Sequence, residues 1–230
     1  MNLVDSIIII LLLFGAALGF KRGFTRQALT LVGTVLILFL SFTLKNPISI
    51  FLYNNLPFFK FGGIIKGATA LNIILYEIIA FFIVFFVLSI VFKVLLTISK
   101  IFEKILTATI ILGIPSKILG MILGVVEYII ISFIGLYILS LPMLEFNLVK
   151  DSKLAAVILT KTPVLNEVCN DTLNTFNEII ELKEVYKNTS DTKEFNQKAL
   201  DLMIEKNIIT KENAKKLIDS GKLEGLTIEE

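Results

Sequence analysis

The sequence predicts an all-α, polytopic membrane protein with about four transmembrane helices and a C-terminal soluble helical tail, and three observations predict it. First, 55% of its 230 residues are hydrophobic and the mean hydropathy is +0.83, above the roughly 45–50% apolar content of soluble domains. Second, the charges are unevenly placed: residues 1–141 hold 10 Lys/Arg and 4 Asp/Glu, whereas residues 142–230 hold 12 Lys and 16 Asp/Glu. The formal charge of +2 is therefore a membrane part at +6 and a tail at −4. Third, four apolar stretches approach the roughly 20 residues that a helix needs to cross about 30 Å of hydrocarbon.

The four spans are expected at about residues 3–20, 28–44, 71–92 and 118–141. The first is interrupted only by Asp5 and Ser6. A cleaved signal peptide would carry basic residues ahead of its apolar run; here Asp5 stands there and the basic cluster follows, so this stretch is expected to remain as a span. The second is expected to stop at Lys45, Asn46 and Pro47. The third contains Glu77; the fourth contains Glu127 and stops at Pro142. Residues 48–66, broken by Pro57, Gly62 and Gly63, are too interrupted for a span and too apolar for open water, and are expected to lie at the interface or to dip in and return. In residues 93–110, Lys93, Thr97, Lys100, Lys104 and Thr107 share one helical stripe. Either this segment rests on the membrane surface or it extends span three into the headgroups, where lysines snorkel to water.

Basic residues set the orientation. Lys21, Arg22 and Arg26 with Lys93, Lys100, Lys104 and Lys117 fall on one side; Lys45, Lys60, Lys66, Lys150, Lys153 and Lys161 fall on the other. Seven against six favours both termini, and with them the tail, outside. Within the tail, Leu165, Val168, Cys169, Leu173, Phe176, Ile179, Ile180 and Leu182 form an apolar stripe. Asp191 with Glu194 resembles a capping box for a helix through about Glu205, and Thr210 can cap another that ends at Gly221. So few large apolar side chains are marginal alone, so the tail is expected to pack on the membrane part, on itself in an oligomer, or on a partner.

The absence of His and Trp and the single Cys169 exclude His-dependent catalysis, thiolate zinc sites and intramolecular disulfides. No nucleotide-binding loop and no nucleophile with its base is present. The chain is therefore not expected to be an enzyme or to need a cofactor or a metal, and its expected partners are the lipid bilayer and, through the tail, a second copy or another membrane or secretion protein, with no nucleic acid.

Two features remain. Gly15, Gly19 and Gly23 recur at every fourth position, and Gly120 with Gly124 repeats the spacing in span four, which gives two faces on which helix backbones can approach closely. Glu77 and Glu127 form a candidate intramembrane polar site, because a carboxylate in hydrocarbon is costly and marks a cavity, a pairing or a proton path. Counted from their helix ends, their levels differ by only about 7 or 8 Å, so they could share one cavity, as a proton-linked transporter requires. Alternatively each is drawn to an interface or sits in a helix contact.

Asp5, Gly15 and the string Gly19-Phe20-Lys21-Arg22-Gly23-Phe24-Thr25-Arg26-Gln27, leading straight into the second span, resemble the N-terminal signature of the colicin V production protein (CvpA) family. Lys117, Gly120 and Gly124, opening the fourth span, resemble its second element. The family usually has an acidic residue near Gln27 and often Arg where Glu127 stands, a reversed charge. The resemblance implies a multi-pass protein of the bacterial plasma (inner) membrane, with an accessory or scaffolding role in production or export of a colicin V-type toxin and in envelope homeostasis. The residues alone leave a second reading open, a small proton- or ion-linked transporter or channel using Glu77 and Glu127.

Overall fold

The computed structural model describes residues 2–61, 66–98, 113–140, 147–162, 174–175, 177–182, 185–186 and 192–228. Among them it is all-α, with helices α1 (Leu3–Arg22), α2 (Phe24–Asn55), α3 (Leu71–Ile98), α4 (Gly113–Leu139), α5 (Asn147–Lys150), α6 (Lys153–Lys161), α7 (Thr192–Glu205) and α8 (Lys211–Asp219). The first four are long and apolar enough to cross a membrane. They leave large apolar side chains uncovered, among them Ile10 and Leu13 on α1 and Phe86 and Ile90 on α3. Such faces suit lipid and not water.

Local signals explain most boundaries. Asn2 caps α1 in a reciprocal box, with the Asp5 N–H donating to Asn2 Oδ1 and the Asn2 N–H to Asp5 Oδ2, both at 2.9 Å. Gly23, at φ +74°, separates α1 from α2 with a single residue, a backbone conformation that a side chain would strain. Thr210 caps α8 with its hydroxyl. Gly221 follows that helix at φ +76°, where the Lys222 N–H donates to the Leu217 carbonyl at 3.0 Å.

Two boundaries differ from expectation. Helix α2 does not stop at Lys45-Asn46-Pro47 but runs on to Asn55, so residues 48–55 are a continuation of that helix. Pro47 removes one backbone donor, but Lys45 has a buried acidic partner, described below, and so is not a stop. At 32 residues the helix is about 48 Å long, which exceeds the hydrocarbon thickness. Helix α3 extends past Phe92 to Ile98, with Lys93 and Thr97 on its surface. Lys100, Lys104, Thr107, Leu141, Pro142, the stripe from Leu165 to Leu173 with Cys169, Phe176 and the Asp191 half of the expected capping box lie outside the described residues.

The chain forms two compact units, Met1–Leu40 with Phe85–Asn166, and Ser41–Val84 with Glu167–Glu230. The compositional boundary at residue 141 is therefore not a packing boundary, because α5 and α6 pack with α1 and α4. In the first unit α1 and α4 lie against each other along their glycines. In the second, Tyr53, Leu71, Ile74 and Tyr76 are fully buried alongside Phe195, Leu200 and Met203 of α7. The Asn196 side chain accepts from the Ala70 N–H at 3.0 Å and donates to the Gly67 carbonyl at 2.9 Å, holding the start of α3. Lys222 Nζ donates to the carbonyls of Tyr53 (2.5 Å), Asn54 (2.7 Å) and Leu56 (3.0 Å), a cation on the C-terminal end of α2.

Candidate functional site

The first unit is built on glycine. A Cβ on Gly19 would collide with the Gly120 carbonyl oxygen and stand 3.0 Å from Gly124 Cα, and one on Gly120 would stand 2.7 Å from Gly23 C. One on Gly15 would stand 2.6 Å from the Tyr128 ring. Backbone therefore meets backbone along about two turns, a contact that only small residues permit. The same approach brings the Ser116 hydroxyl to the first donor of α2, the Phe24 N–H, at 3.0 Å. It also sets Lys117 Nζ 5.7 Å from the centre of the Phe20 ring.

Beside this contact lies a polar cluster. Glu127 is 6% exposed and accepts a short hydrogen bond from the Gln27 side-chain amide. Arg22 Nη1 lies 3.7 Å from the same carboxylate and donates to Gln27 Oε1 at 3.2 Å. The Thr34 hydroxyl is 3.4 Å from Glu127 Oε1. Gln27 thus links cation to anion, with its oxygen facing Arg22 and its nitrogen facing Glu127. The one-residue break at Gly23 makes this possible, because it places Arg22 and Gln27 on two helices yet five positions apart.

Glu127 also lines a cavity of about 570 Å³ within this unit. Its walls bring Arg26, Thr30 and Thr34 of α2 opposite Ser89, Lys93 and Thr97 of α3. In both sets the spacing of four keeps the polar groups on one helical face.

In the second unit, Glu77 is 5% exposed, forms an ion pair with Lys45 and accepts from the Ser49 hydroxyl at 2.5 Å. The two glutamates have no partner in common among these contacts. Each carboxylate has a cation and a neutral donor of its own, the company that a carboxyl group needs in a low-dielectric interior.

Asp5 has a role that its sequence context does not disclose. It is 3% exposed, and its Oδ1 accepts from the Ser152 hydroxyl at 2.5 Å and the Leu154 N–H at 3.1 Å. Ser152 in turn caps α6 by accepting from the Ala155 N–H at 3.0 Å. The carboxylate thus sits at the positive end of α6 and docks it on α1.

Sequence reasoning misses Lys45, Ser49, Ser116 and Ser152 as site residues and reads Gln27 only as a departure from the family pattern. Lys45 carried a usable signal, since it lies at the same membrane face as the nearer end of the Glu77 helix.

A family model described as Colicin V production protein matches residues 4–163. No curated protein and no solved structure matches the chain.

Proposed function

The chain belongs to the colicin V production protein family, and on that premise we propose that it is an accessory, non-enzymatic membrane protein in the production or export of a colicin V-type toxin and in envelope upkeep. The observation that carries this reading is the extent of the match, which takes in all four spans together with α5 and α6. The packing agrees with a scaffold: glycine faces closed on each other and buried carboxylates closed on their own cations are contacts that hold helices in place. A transporter whose two glutamates share a pathway draws no support from that geometry.

The test is made in bacterial cells that secrete a colicin V-type toxin. Deleting the gene for this chain is expected to lower toxin activity in the medium at least tenfold, and the wild-type chain supplied in trans to restore it. Unchanged toxin titre after deletion would defeat the proposal.

The reading also places the protein in the plasma membrane with its tail outside. Cys169, the single thiol, reports on that side. A membrane-impermeant maleimide should label it in intact cells; labelling only after lysis, with a denatured control reactive, would reverse the orientation.

A further inference from the structure

The cavity beside Glu127 has a use that the scaffold role does not absorb. Its walls carry three cations, Arg22, Arg26 and Lys93, against one carboxylate. Glu127 is engaged by Arg22 and Gln27, and among the described lining residues the cations outnumber the carboxylate by two. The cations stand near one membrane face, because Arg22 closes α1, Arg26 lies in the first turn of α2, and Lys93 lies five residues from the Ile98 end of α3. The hydroxyls of Thr30, Thr34, Ser89 and Thr97 run deeper or alongside them. The remaining wall is apolar and reaches the outer surface: Phe86 lines the cavity and is 60% exposed, next to the equally uncovered Ile90. Its volume of about 570 Å³ falls within the range of small-molecule sites, roughly 300–1,000 Å³.

Cations and hydroxyls at the headgroup level, opening sideways on lipid-facing aromatic surface, match one chemistry. We propose that this cavity holds the phosphate of an anionic membrane lipid, with the headgroup among Arg22, Arg26 and Lys93 and the acyl chains along the Phe86 side of α3. Basic pockets between membrane helices recognise lipid headgroups in this way. Free phosphate would satisfy the cations but leave the apolar opening without an occupant.

The test uses the full chain purified in neutral detergent at physiological ionic strength, where loose surface attraction is screened beyond about 8 Å. Native mass spectrometry would count bound phosphatidylglycerol against phosphatidylcholine at equal concentration, with and without inorganic phosphate. The expected result is a preference for phosphatidylglycerol that inorganic phosphate does not displace. Arg26→Gln with Lys93→Gln should weaken it about thirtyfold, each basic residue near a headgroup being worth about fivefold. Lys93→Glu, a change at an exposed position, should weaken it comparably while elution and melting stay those of wild type. Equal binding of the two lipids, or variants that bind as wild type does, would overturn the site. Displacement by inorganic phosphate at equal occupancy would overturn the lipid as its occupant.

Discussion

Gly19→Leu is expected to take α1 off α4 and to cost about 1–3 kcal/mol or more, the range for forcing extra carbons into a packed interface. A Cβ at this position meets main chain on every near side, with Gly120 C at 2.9 Å and Gly124 Cα at 3.0 Å. Main chain cannot rotate away as a side-chain end can. In lipid no hydrophobic force draws helices together, so loss of close van der Waals contact is not offset by other apolar burial. The cost should appear as a fall of roughly 5–10 °C in the melting temperature of the detergent-purified protein. Gly135→Leu on α4, the partner helix of this contact, is the control, because nothing lies within 4 Å of its Cβ direction. If the two variants melt together, the glycine contact does not carry the packing described.

Glu127→Arg is expected to be at least as damaging, and to be largely repaired by adding Gln27→Glu. Alone, the substitution sets a second guanidinium beside Arg22, which now lies 3.7 Å from the carboxylate, and turns the Gln27 amide toward another donor. Breaking a buried ion pair in this way costs about 3–5 kcal/mol. With Glu at position 27, both guanidinium groups regain an acceptor between them. The coupling energy of the double-mutant cycle should be about 1–3 kcal/mol in the favourable direction. Melting of the four proteins gives that energy directly, and simple additivity would show that positions 27 and 127 are not partners.

That pairing shows where sequence reading ends. The spans were legible because lipid rewards long apolar runs whatever lies next to them. The α8 hairpin end was legible because Thr210 and Gly221 act locally. The end of α2 was not, since Lys45 and Pro47 are stop signals only where no distant group answers them, and Glu77 does. Positions 27 and 127 each depart from the family pattern that the N-terminal string resembles. As single letters they read as two unrelated exceptions; in the structure they are the two ends of one hydrogen bond. Nothing along the chain announces that relation, because it depends on how closely Gly15, Gly19, Gly120 and Gly124 let two backbones approach. The cavity likewise needed α2 and α3 set face to face before its cations could be counted together.

The Asp5 clamp leaves the first helix incomplete until α6 has been made. Its two long-range donors, Ser152 and Leu154, are 147 and 149 positions downstream. At a synthesis rate of about 5–20 residues per second they leave the ribosome roughly 7–30 s after Asp5 does. For that interval α1 can enter the bilayer, but its carboxylate has only its own helix cap for company. The protein's N-terminus is therefore sealed by the arrival of α6, so that insertion of the first span and its final anchoring are separate events in the life of each molecule.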